Sequence, residues 1–221
     1  MLPLMPDIDL RERRRAGYET ARPEVQALVP RFASAILDLG CASGALGAEL
    51  KLRQQARVVG VELDGGYAAA AAERLDHVVN AGIEEALRGD LGRFDCIVAA
   101  DVLEHLVDPW GALRAATALL DPGGSVVVSV PNVRSLETLL QLGFRGRWPR
   151  LDQGLFDRTH LRWFTLADAR ELLEQAGVAV EHVEPRYFYG GWQLRVARQL
   201  GRTPLAPFFT GQYILLARKP G

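Results

Sequence analysis

The chain has 221 residues, with 26 Lys and Arg against 27 Asp and Glu, for a formal charge of −1. That length suits one large α/β domain with a sizeable core, and a charge near zero without a basic stripe argues against a nucleic-acid partner. The short run at Arg11 to Arg15 reads as a solvated helix face, and two cysteines without metal or disulfide spacing read as small apolar fillers.

Residues 1–34 read as a helical lead, with a helix from Glu24 toward Pro30. Ile36 to Gly40 is a first apolar strand that runs into a small-residue loop and a helix from Leu46 to Gln55. Arg57 to Glu62 is a second strand that ends in an acid. The alanine-rich stretch from Tyr67 to Leu75 is helical, and His77 to Asn80 is a short third strand. Phe94 to Asp101 is a fourth strand, again acidic at its end. Trp110 to Leu120 is a helix stopped by Asp121-Pro122-Gly123-Gly124, and Ser125 to Val130 is a β-branched strand buried on both faces. Residues 131–164 show no clean period. Thr165 and Asp168 form a capping-box-like pair for a helix that Gly177 ends. Val178 to Val183 and Gln212 to Ala217 are the last strands. Strands alternating with helices predict a doubly wound, mostly parallel sheet in a single domain.

In such a sheet, ligands bind beyond the carboxyl ends of the strands, at the switch in strand order. Gly40, Ala42 and Gly44 let a backbone turn approach a ligand closely. Asp38 beside them favours a cationic or hydroxyl-rich ligand over a pyrophosphate. Glu62 is placed to accept hydrogen bonds from both hydroxyls of a ribose. Asp101, with Glu104 and His105 close behind, ends the fourth strand. The loop alone fits dinucleotide and S-adenosylmethionine (SAM) sites equally.

Asp38, ADVLEHL at Ala100 to Leu106, LLDPGG at Leu119 to Gly124 and VPN at Val130 to Asn132 decide between them. With these, the chain resembles the class I SAM-dependent methyltransferases. RTHLRWFT at Arg158 to Thr165 is similar to a bacterial subgroup associated with small-molecule and glycan genes. The resemblance implies a Rossmann-like seven-stranded sheet with the last strand antiparallel and a small cap, residues 134–164, inserted after the fifth strand. It implies that Gly40, Ala42 and Gly44 line the methionine and ribose end of SAM, that Glu62 takes the ribose, and that Leu63 packs on the adenine. Ala100 and Asp101 would border the methionine moiety. The usual acid for the adenine amino group is missing near Gly82, which leaves Asn80 or Glu84. Apart from the resemblance, the two-pronged guanidinium of Arg22 suits the methionine carboxylate, with a surface role for Arg22 as the alternative.

A hydroxyl acceptor gains from a base. His160, in the irregular stretch, is the first candidate and His105 the second; the alternatives are that His160 pins the Arg158–Phe164 turn and His105 caps the segment after it. The expected protein is therefore a cytoplasmic methyltransferase without a metal, using SAM and yielding S-adenosylhomocysteine. Its acceptor is a small molecule or glycan precursor, methylated on oxygen. A homodimer is compatible with this reading; nucleic-acid binding and membrane insertion are not expected. The rivals are an NAD(P)-dependent oxidoreductase, disfavoured by Asp38, and a non-catalytic SAM-binding module, which would need no open acceptor pocket.

Overall fold

The structure is a computed structural model describing residues 19–201 and 203–221. The lead read over residues 1–17, with the Arg11–Arg15 run, lies outside the described residues. The rest of the lead holds one short helix, α1 (Pro23–Gln26), and turns follow it well before Pro30.

Seven strands form one sheet: β1 (Ala35–Leu39), β2 (Arg57–Glu62), β3 (His77–Asn80), β4 (Phe94–Ala100), β5 (Leu120–Pro131), β6 (Ala179–Arg186) and β7 (Gln212–Arg218). Their order is β3-β2-β1-β4-β5-β7-β6. All pairings are parallel except those of β7 with β5 and β6. The expected sheet, with its antiparallel last strand, is the one observed. The order reverses between β1 and β4, so the crevice for a ligand opens above that pair.

Between the strands run α2 (Ala45–Arg53), α3 (Gly65–Ala72), α4 (Ile83–Ala86), α5 (Pro109–Ala118), α6 (Leu136–Thr138), α7 (Leu166–Gln175), α8 (Gly191–Leu200) and α9 (Ala206–Phe209). Successive residues of a strand face opposite sides of a sheet. Here both sides are covered. Ile36, Val58, Cys96, Val98 and Val127 join one core with Leu46 and Leu50 of α2. Leu37, Leu39, Val59, Ile97 and Val126 join a second with Leu113 of α5 and Leu172 and Leu173 of α7. Burial on two faces is why these strands read as unbroken apolar runs. Cys41 and Cys96 are both buried and free in the first core, as the filler reading requires, and burial pushes both thiols up from their ordinary value.

Several elements differ from the sequence expectation. The DPGG segment does stop α5, but it belongs to β5, which begins at Leu120. Arg93 holds that segment open by donating to Asp121 Oδ1 at 3.0 Å and to the Leu120 carbonyl at 2.7 Å. Helix α3 starts two residues before Tyr67 because the Asp64 carboxylate accepts the Gly66 and Tyr67 amides at 2.8 and 3.1 Å. Helices α8 (Gly191–Leu200) and α9 (Ala206–Phe209) lie in a stretch for which the sequence suggests no element. The cap opens with α6, capped by Ser135, and a π-helical turn over Leu139–Phe144. The capping box at Thr165 and Asp168 forms as expected.

Candidate active site

Strand β1 ends in a loop with three left-handed residues: Gly40 (φ 71°), Ala42 (φ 46°) and Gly44 (φ 77°). A side chain at Gly40 would also put a Cβ 2.8 Å from Val102 Cγ2. Ala42 has no glycine's freedom, so something must hold it there. Its amide donates to Glu62 Oε2 at 3.0 Å, and the Asp64 amide donates to Glu62 Oε1 at 2.8 Å. The Gly40 and Cys41 amides both donate to the Val61 carbonyl. The end of β2 thus fixes the shape of the loop.

Above the loop lies a cavity of about 870 Å³. Asp38, Gly40, Ala42, Ala100, Asp101, Glu104, His105, His160 and Arg22 all line it. Most of them come from the ends of β1 and β4, with Arg22 from the start of α1 and His160 from the irregular stretch before α7. Gly44, Glu62 and Leu63 lie outside the lining. Gly44 faces α3 instead, with an added Cβ 3.1 Å from Ala71 Cα. Leu63 is 76% exposed beside the loop. Asn80 is occupied as a brace, donating to the Glu62 and Leu63 carbonyls at 2.9 and 3.0 Å. Glu84 lines a separate small depression with Arg88 and Asp108.

The floor of the cavity is a charged network. Asp101 is itself left-handed (φ 55°), a strained state typical of functional positions. Its carboxylate accepts from Arg22 Nη1, from Gln212 Nε2, and from Ser129 Oγ at 2.7 Å. Arg22 Nε donates to Glu24 at 2.6 Å, and Arg186 reaches the same Glu24 oxygen. The expectation for Arg22 is a ligand carboxylate; its Nη2 makes its longest hydrogen bonds, 3.3 Å to Ser129 Oγ and 3.5 Å to Gln212 Oε1. Asp38 is buried and its Oδ2 has no hydrogen-bond partner among the described residues. Burial, and then the charge of Glu62, push its carboxyl up to about 7, against the pull of Arg22.

At the far end, His160 is buried with Nδ1 3.1 Å from the Leu155 carbonyl. His105 meets it edge-on, ring centroids 4.7 Å apart, with Nδ1 3.1 Å from Thr159 Oγ1. Between them Glu104 is 1% exposed. Burial, then the charge of Asp101, holds its carboxyl well above the usual range. Sequence reading named Glu104 only as a neighbour of His105; the pairing of an acid and a histidine on one turn was the signal. It missed Glu24, Ser129, Arg186 and Gln212, whose roles arise only when β5, β6 and β7 lie side by side.

The donor set fits SAM. A buried, unpartnered acid in the cavity wall suits a cationic ligand end, whereas a pyrophosphate would add like charge beside it. The matches to known proteins agree. A model of the methyltransferase-domain family fits residues 10–183. The chain belongs to that family, the class I SAM-dependent methyltransferases. The methyltransferase is 30% identical over 159 residues to a ubiquinone biosynthesis O-methyltransferase of Aeromonas salmonicida, covering 67% of this chain and 64% of that one. It is 36% identical over 106 residues to the enzyme of that name from Azotobacter vinelandii, with 44% of each covered. The chain thus spans about half the length of the curated relatives it matches. A SAM-dependent methyltransferase from Archaeoglobus fulgidus shares the fold, with TM-score 0.66 and 18% identity over 96% of this chain and 99% of that one. No helix among the described residues of the methyltransferase is long and apolar enough to cross a membrane.

Proposed function

We propose that this methyltransferase methylates an oxygen of a small molecule or glycan precursor, in the cytoplasm and without nucleic acid. The observation that carries the reading is the reach of the cavity, which is continuous from Gly40 and Ala42 to His160 and Tyr189. Its volume lies near the top of the range of about 300–1,000 Å³ for small-molecule sites, room for a cofactor and an acceptor together. A module that only bound SAM would need no such second chamber. The curated relatives are named as O-methyltransferases, which supports oxygen as the acceptor atom.

SAM supplies an electrophilic methyl group on a sulfonium. The chain supplies position. Gly40, Ala42 and Gly44 shape the loop that receives the methionine and ribose end, and Glu62 takes the ribose with the lone pairs left over from the Ala42 and Asp64 amides. Leu63, exposed beside the loop, covers the adenine. Asp38, Ala100 and Asp101 border the methionine moiety, and Arg22 turns its Nη2 edge to the carboxylate. His160 and His105 stand at the acceptor end, where they assist loss of the hydroxyl proton. The cap covers the acceptor: Trp148 packs edge-on against Phe156 and Trp163, at 5.0 and 5.3 Å.

The test is incubation of the full chain and SAM with a panel of phenols, catechols, sugars and sugar precursors, read by mass spectrometry. The expected result is a product heavier by one methyl group, formed in step with S-adenosylhomocysteine. Tight SAM binding with no product from any hydroxyl compound, but methylation of amines or thiols, would overturn the oxygen assignment. A melting shift with NAD and none with SAM would overturn the whole reading.

A further inference from the structure

The acceptor end of the cavity holds a group of side chains that simple base catalysis leaves unexplained. Glu104, His105 and His160 each offer one ligand atom within 4.8 Å of the other two. Both carboxylate oxygens of Glu104 are buried without a hydrogen-bond partner among the described residues. An acid this deep in the fold is costly to leave unsatisfied. His160 Nε2 lies 4.0 Å from Glu104 Oε1, too far for a hydrogen bond.

The histidine tautomers follow from their neighbours. A carbonyl only accepts, so His160 Nδ1, 3.1 Å from the Leu155 carbonyl, carries the proton. Thr159 Oγ1 donates to Asp157 Oδ1 at 2.7 Å. Its hydroxyl proton is therefore spent, and His105 Nδ1 is the donor to Thr159. In both rings the lone pair then sits on Nε2. For His160 that nitrogen is turned to Glu104 rather than held for an acceptor proton. Two imidazoles, each oriented by an Nδ1–H bond to a fixed oxygen, are the usual outer arrangement of metal ligands.

The geometry points to a mononuclear divalent-metal site made by Glu104, His105 and His160, with its remaining coordination positions open to the cavity. Two imidazoles and one carboxylate suit first-row divalent ions such as zinc and cobalt more than magnesium or calcium. This proposal departs from the metal-free expectation drawn from sequence spacing. Glu104 and His105 are adjacent, but His160 lies 55 positions beyond His105, and no spacing rule joins them.

The ion's role rests on the O-methylation reading; its binding does not. An acceptor hydroxyl bound to the ion would lose its proton to solvent more easily. The oxygen then forms its bond to the methyl carbon as the carbon–sulfur bond breaks, with that electron pair staying on sulfur.

Metal-stripped full-length protein titrated with Zn²⁺ by calorimetry, and with Co²⁺ by visible absorption, tests the site without any acceptor. The expected result is one ion per chain, with cobalt bands of a low-symmetry nitrogen and oxygen site. Glu104→Gln and His160→Ala should each weaken binding by about 100-fold or more, beyond the roughly 10–100-fold loss typical of outer partners. Thr159→Val, which keeps all three ligands, should weaken it by about tenfold, and it guards against ligand variants that fail to fold. No saturable binding by the wild type, or equal binding in all folded variants, would overturn the site. SAM affinity, measured alongside, separates the two failures. Intact SAM binding without metal binding sinks this inference alone; loss of both sinks the reading beneath it.

Discussion

Glu62 Oε2 accepts the Ala42 amide at 3.0 Å, so the acid proposed to hold a ribose also holds the loop beneath it. Replacing Glu62 with alanine removes two backbone partners at once, those of Ala42 and Asp64. Glu62→Ala should weaken SAM by about 1.5–3 kcal/mol, the range for hydrogen bonds to a charged group. It should also lower the melting temperature, because Ala42 loses what keeps it left-handed. Calorimetric titration of the folded variant with unchanged affinity would remove Glu62 from the site.

Asp38 should make stability and binding depend on pH. Its folded value near 7 lies above its ordinary 3.8. The native state therefore holds a proton that the unfolded chain releases. The contribution to stability is complete below about pH 4, declines as pH rises toward 7, and is gone above it, with a slope of at most about 1.4 kcal/mol per pH unit. Asp38→Asn should flatten that decline in urea titrations across this range. A cationic ligand favours the carboxylate, so SAM binding near pH 6 should release a proton. Equal binding heats in buffers of different ionisation enthalpy would contradict this.

Arg22 and Asp101 should fail together. Arg22→Ala leaves Asp101 without its cation and leaves Glu24 with Arg186 alone. The expected cost is about 1–3 kcal/mol of stability, with a larger fractional loss of SAM affinity. The double variant Arg22→Ala with Asp101→Asn should cost less than the sum of the two singles. Additivity in chemical unfolding would show that the pair is not coupled.

Gly44→Val should damage the fold before it damages the site. The side chain would meet Ala71 of α3 and Leu75 just beyond it, in a backbone conformation that valine rarely adopts. The loss should be about 2–5 kcal/mol. Circular dichroism melts will show it. A variant as stable as wild type but unable to bind SAM would mean that Gly44 meets the ligand and not the helix.

Much of this architecture was legible in the chain. The parallel strands could be read because burial on two faces leaves an apolar run that no helix period disguises. Thr165 and Asp168 announced a helix start because capping is local chemistry. The loop from Gly40 to Gly44 was legible for the same reason: three small residues in five positions serve a tight turn. What could not be read was made by topology. Gln212 reaches Asp101 only because β7 returns between β5 and β6, and His160 comes to Glu104 only because the Leu161 and Arg162 amides bond back to the Glu104 carbonyl. Helix α8 was passed over although Gly190 and Gly191 mark its start, since its exposed Trp192 and Val196 give it a weak claim on the core.

Glu24, near the start of the described chain, and Gln212, near its end, both meet Arg22 and Arg186, and Gln212 also donates to Asp101. The floor of the cavity is thus a knot tied from both ends. During synthesis, every strand through β6 can be present while Asp101 still lacks Gln212 and the Arg186–Glu24 link has no brace beside it. Only the insertion of β7 between two strands already made draws the knot closed. Competence to bind the cofactor should therefore arrive as a single event, when β7 takes its place between β5 and β6, rather than growing in step with the sheet.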